Sequence, residues 1–98
     1  MNSAQSKTSP WSIVSVFPLG RIIVHSSLTC LSREDLMIAL DRHRSGDWGD
    51  IGENQRLANE RALSKGGSLL SQFDCAKNMK LEIVTNEHRS RTLVKLVT

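Results

Sequence analysis

The chain has no tyrosine, two phenylalanines, two tryptophans, two cysteines and two prolines among its 98 residues. Each scarcity removes a class of protein. Single-stranded nucleic acids are usually gripped by aromatic rings spread across a sheet, or by a strongly basic helix. Here Phe73 is the only clear aromatic in the three strand-like segments of the C-terminal half. Cys30 and Cys75 form no CxxC and have no histidine at zinc-binding spacing, so neither a disulfide framework nor a structural zinc site is implied. They read as buried thiols in a reducing compartment. The longest aliphatic run, Ile22-Ile23-Val24, is far too short to span a bilayer. The apolar stretch from Ser12 is broken by Pro18 and Arg21 and has no basic segment before it, which argues against a signal peptide. A cytoplasmic protein with no membrane partner is expected.

Charge is also limited. Thirteen Lys and Arg against ten Asp and Glu give a net charge of +3, with no dominant block of either sign. That excludes an acidic mimic of DNA and permits nucleic-acid binding without announcing it. The length suits one domain with a modest core. Residues 1–10 (MNSAQSKTSP) contain no large aliphatic side chain after the initiator and read as a disordered leader, leaving 11–98 as a single domain.

Trp11 to Phe17 and Arg21 to His25 are rich in Ile, Val and aromatics around Pro18-Leu19-Gly20, and predict one or two short strands. Ser32 followed by Arg33-Glu34-Asp35 has the form of a helix start: a capping hydroxyl, then acids at the positive end of the dipole. Leu36, Leu40 and His43 share one side of that helix. Arg42, His43 and Arg44 suit its last turn, and Gly46 suits its stop. A second helix starts at Asp50 or Gly52, presents Leu57, Ala58, Ala62 and Leu63, and ends at Gly66-Gly67. Alternation then predicts strands at 68–74, 80–85 and 91–97, with turns at 75–79 and 86–90. Leu69/Phe73, Leu81/Ile83 and Leu93/Val97 are placed on one face. The expected fold is α+β: N-terminal strand or strands, two helices, then a three-stranded antiparallel meander, with the helices on one face of the sheet.

Two stretches could carry chemistry. In HRSGDWGD, residues 43–50, His43, Asp47 and Asp50 could converge on a divalent cation, although their spacing matches no known metal signature. The structural alternative has Asp47 turning the chain, Asp50 capping the next helix, Gly46 and Gly49 supplying unusual backbone angles, and Trp48 plugging the helix ends. In NEHRSRT, residues 86–92, Glu87 with His88 could form an acid–base pair, and Ser90 a nucleophile. Sequence neighbours rarely assemble a triad, however, so Arg89 and Arg91 are better read as a small cationic patch or a solvated turn. No P-loop, dinucleotide fingerprint, HExxH or GxSxG occurs. Across 41–61, Arg42, Arg44, Arg56 and Arg61 alternate with Asp41, Asp47, Asp50, Glu53 and Glu60, the pattern of a mixed protein-binding face rather than a phosphate track.

From Pro18 onwards the chain resembles a family of small bacterial proteins, often borne on plasmids and other mobile elements, to which no activity is attached. The resemblance is carried by LG, by RHRSGDWGD, by Asn59-Glu60-Arg61-Ala62-Leu63, Gly67 and Leu69-Leu70-Ser71, and by IVTNEHRSRT. It covers about four fifths of the chain. Asn86 and His88 stand where the family tends to carry Glu and Asp, so any role of those acids is lost here. The resemblance implies a setting, the accessory cargo of mobile DNA, whose small proteins often modulate host machinery.

The combined expectation is a non-enzymatic protein that binds and modulates or inhibits a host protein or ribonucleoprotein complex, of the anti-restriction or anti-CRISPR type, and needs no cofactor. Its contact surface would comprise Arg44, Asp47, Trp48, Asp50, Arg89 and Arg91, with a half-buried Trp48 as anchor. The alternatives are a metal-assisted hydrolase or nuclease using His43, Asp47, Asp50 and His88, and a weakly basic nucleic-acid binder.

Overall fold

The computed structural model describes residues 15–26, 28, 31–75 and 79–97. The expected leader, the first part of the strand foreseen at 11–17, Cys30 and the middle of the 75–79 turn lie outside them. Residues 15–17 are not a strand. The elements in chain order are β1 (Arg21–Val24), α1 (Arg33–Arg44), α2 (Glu53–Lys65), β2 (Leu69–Asp74), β3 (Lys80–Thr85) and β4 (Arg91–Val97). No helix among the described residues is long and apolar enough to cross a membrane.

The two helices start differently. The Ser32 hydroxyl accepts the Asp35 amide at 3.0 Å, satisfying one of the amides that the first turn of α1 leaves unpaired. α2 starts at Gly52 without a side-chain cap, so Asp50 does not play the capping role expected of it.

The sheet overturns the predicted three-stranded antiparallel meander. It is four-stranded and mixed, in the order β1-β4-β3-β2. β2–β3 and β3–β4 pair antiparallel, but β1 joins β4 in parallel, from Arg21 opposite Arg91 to Val24 opposite Val94. A parallel neighbour needs a long crossover, and here the chain between β1 and β4 contains both helices and the other two strands. Nothing within RIIV encodes a partner so distant. Gly20 makes the approach possible: its φ is 66°, and a β-carbon there would sit 2.3 Å from the Ser90 carbonyl carbon.

Register also differs from the expected face. Leu81 pairs with Leu96, Ile83 with Val94 and Thr85 with Thr92, so Val94 is buried while Leu93 and Val97 lie on the opposite face. A one-residue slip exchanges the faces of a whole strand, and β4 is apolar enough on both sides to conceal the choice. The buried face carries Leu69, Ser71, Phe73, Leu81, Ile83, Thr85, Thr92 and Val94. Leu28, Ala39 and Leu40 cover one end of it, and Phe17, Trp48 and Ala62 the other.

α2 buries only part of its expected face: Ala62 is in the core and Ala58 half-buried. Leu57 and Leu63 are exposed, while Asn59 has no solvent exposure. The reason is a backbone demand. The Asn59 amide accepts the Leu70 N–H at 3.1 Å and donates to the Leu70 carbonyl at 2.8 Å, pairing with the free edge of β2 as a neighbouring strand would.

Candidate functional site

HRSGDWGD continues this edge protection. The Gln72 amide donates to the Trp48 carbonyl at 3.1 Å, and the Asp50 amide donates to the Gln72 carbonyl at 2.6 Å. Gly49 thus forms a short parallel bridge with β2. No other residue fits there, because φ is 73° and a β-carbon would lie 2.2 Å from the Gln72 carbonyl oxygen. Asp47 accepts the Gly49 amide at 3.2 Å and the Arg42 Nε–H at 2.8 Å. Those bonds, the arginine above all, hold its carboxyl below the usual carboxylate range. Asp50 pairs instead with Lys80, which also binds Asp74 at 2.8 Å, and the two carboxylates raise the lysine's pKa.

Trp48 is a plug. It is 7% exposed, stacks on Phe17 with ring centroids 6.0 Å apart, and meets the His43 ring edge-on at 5.8 Å. The expectation of a half-buried tryptophan anchoring a partner is therefore corrected. Glycines on both sides let the backbone run along the sheet edge while the indole drops into the core.

His43 has no solvent exposure either. Its Nδ1 lies 2.6 Å from the Ser71 hydroxyl and its Nε2 2.9 Å from the Thr85 hydroxyl. Thr85 contacts Thr92 at 2.7 Å, and Thr92 donates to the Leu19 carbonyl at 2.7 Å. Because Thr92 gives its proton to Leu19, Thr85 must donate to Thr92. His43 must then donate from Nε2 to Thr85 and accept from Ser71 at Nδ1. A neutral imidazole satisfies every hydroxyl in this chain. Burial first, and then the nearby Arg89 charge, push the His43 pKa down to about 4. Ser71 and His43 have the spacing of a nucleophile and its base, but both are sealed from solvent, so no substrate reaches them.

The alternative metal set does not assemble. His43 faces the core, Asp47 faces Arg42, Asp50 faces Lys80, and His88 is exposed beside Glu87 at 3.6 Å. No group of three or more His, Cys, Asp or Glu able to hold a metal occurs among the described residues.

The proposed cationic patch is also dismantled. Arg89 has φ 56° and turns its guanidinium inward. Nη1 donates to the carbonyls of Gly67 at 2.6 Å and Asn86 at 2.9 Å, and Nη2 donates to the Ala62 carbonyl at 3.2 Å. Arg89 thus ties the C-terminal end of α2, the negative end of its dipole, to the β3–β4 turn. Asn86 shapes that turn by accepting the amides of Ser90 and Arg91. Arg44 pairs with Asp41 at 2.8 Å, while Arg91 remains exposed at the start of β4.

What stays open is a cleft between α1 and β2. One part, of about 400 Å³, is lined by Leu31, Ile38, Ala39, Phe73 and Leu81, with Asp35 and Asp74 among its polar groups. A second part, of about 430 Å³, shares Arg42, Phe73 and Asp74 with the first and adds Asp47 and Asp50. The Arg42 guanidinium lies 4.4 Å from the centre of the Phe73 ring, dividing the apolar part from the charged one. Asp47 and Asp50 are the foreseen site residues that meet here. Arg42 belongs to the mixed-charge face expected across 41–61, whereas Phe73 and Asp74 join it only through the way α1 crosses β2. No protein-family model, curated protein or solved structure matches the chain.

Proposed function

We propose that this is a non-enzymatic binding protein that modulates a host protein complex in the cytoplasm. One observation carries the reading: reactive groups and surface are separated. His43 and Ser71 are sealed in the core, Asp47 and Asp50 are tied to cations, and Arg89 is engaged within the fold. Met37 and Ile38, by contrast, stand 53% and 58% exposed on α1, with Ile38 on the wall of the cleft. The contact surface we favour is this cleft, with Ile38 and Phe73 as its apolar part and Arg42, Asp47, Asp50 and Asp74 as a charged rim, the last two paired with Lys80 just outside it. An apolar centre inside a polar rim is the usual anatomy of a protein interface. The resemblance to mobile-element proteins supports a defence complex as the target, of the restriction or CRISPR kind.

The test is affinity capture from host lysate with the wild type, Ile38→Glu, and Arg61→Glu as an exposed control on α2. We expect one complex to be retained by wild type and Arg61→Glu and lost with Ile38→Glu. Equal capture by Ile38→Glu would overturn the surface. Calorimetric titration with manganese, magnesium and zinc addresses the hydrolase alternative. We expect no tight binding, and a micromolar site abolished by Asp47→Ala or Asp50→Ala would reverse the ranking.

A further inference from the structure

The two edges of the sheet are treated in opposite ways. On β2, the backbone groups of Leu70 are paired by the Asn59 amide and those of Gln72 by the Trp48–Asp50 loop. On β1, no described residue covers the outer edge. The Arg21 amide donates to Ser90 and the His25 amide to Val94, so the odd-numbered residues face β4. By alternation, the N–H and C=O groups of Ile22 and Val24 point away from the sheet. The side chains there are apolar and uncovered: Ile22 is 44%, Ile23 40% and Val24 46% exposed. Although β1 is only four residues long, no proline, lysine or bulge interrupts Ile22–Val24.

We propose that β1 pairs with β1 of a second copy, forming a two-fold dimer with one continuous eight-stranded sheet. The strand is complementary to itself. In an antiparallel two-fold arrangement the outward groups of Ile22 meet those of Val24 in the second copy, and the reverse, while Ile23 falls opposite Ile23. That register has a consequence on the sheet face away from the helices. There Leu70, Val84, Leu93 and Ile23 occupy matching positions on β2, β3, β4 and β1, an apolar row across all four strands. Pairing Ile23 with its copy joins two such rows end to end, so a half-buried row that ends at exposed Ile23 becomes the spine of the dimer. This continuity favours a second copy over a foreign strand, which would bring no matching row. β-branched pairs of this kind are among the favourable cross-strand neighbours.

The full chain is tested by sedimentation velocity across a wide concentration series. We expect a reversible dimer, and we expect Ile22→Lys, which places a charge on the open edge at a side chain 44% exposed, to weaken it by at least about tenfold. Its thermal melt should match that of the monomeric wild type. Cross-linking tests the register. In a Cys30→Ser, Cys75→Ser background, Ile23→Cys should form disulfide-linked dimers on mild oxidation, because opposed residues at such a position have Cα atoms about 4.5 Å apart, within disulfide reach. Ile22→Cys should not, since its opposite number is Val24. A wild type that stays monomeric, whether its edge is covered by its own terminal residues or by nothing, overturns the proposal. So does a dimer unaffected by Ile22→Lys, or Ile22→Cys cross-linking as readily as Ile23→Cys.

Discussion

Between pH 7.5 and 5, above the range where the depressed Asp47 carboxyl protonates, acidification should destabilise the fold chiefly through one residue. His43 is neutral in the folded protein with a pKa of about 4, against 6.5 for an unhindered imidazole. The unfolded chain therefore binds a proton below pH 6.5 that the folded chain refuses until about pH 4. Stability is then complete above pH 6.5 and is lost as pH falls, at up to about 1.4 kcal/mol per pH unit. At pH 5, before most carboxylates protonate, the loss is about 2 kcal/mol, and it approaches about 3 kcal/mol at pH 4. That is a large share of the stability of a small domain. Urea unfolding at a series of pH values between 7.5 and 5 reads the slope (~1.4 kcal/mol per unit at its steepest), and His43→Gln removes the titrating group. The variant should start less stable but show a flatter pH profile, since His25 and His88 remain in both proteins. Parallel profiles for the two proteins would refute the role given to His43.

Three substitutions probe the rest of the framework. Trp48→Ala should cost about 3–5 kcal/mol in chemical denaturation, because a buried indole leaves a cavity against Phe17 and Leu69; a melt like wild type would contradict the plug. Arg89→Glu replaces a donor to three carbonyls with a carboxylate facing them and should lower stability by at least about 2 kcal/mol, with Arg91→Glu near neutral as the exposed comparison. Gly49→Ala should cost more than about 1 kcal/mol through backbone strain and should speed hydrogen exchange at Gln72 and Asp50, where unchanged exchange would deny the bridge.

Much of the local structure was readable from short stretches. Ser32 with the acids after it starts α1, Gly66 ends α2, and alternating residues mark β2, β3 and β4 close to their observed limits. The octapeptide was recognisable as a turn built on Asp47 and two glycines. Its purpose was not, since the strand edge it covers lies more than a helix away in sequence. Arg89 departs from the expected cationic patch for a related reason. A charged residue in a turn normally faces water, and the carbonyls that draw it inward belong to α2 and the segment after it. No signal near Arg89 marks that partnership.

Capping, turn formation and the two-residue strand period depend on contacts within a few residues, and such features follow from the amino-acid order alone. The parallel pairing of β1 with β4, the register that buries Val94 rather than Leu93, and the inward turn of Asn59 and Arg89 arise only when distant segments meet. Buried polar groups must all find partners, and where local partners are absent the folded chain supplies them across the domain. That requirement places an asparagine in the core and leaves leucines on the surface, against the pattern their polarity would suggest.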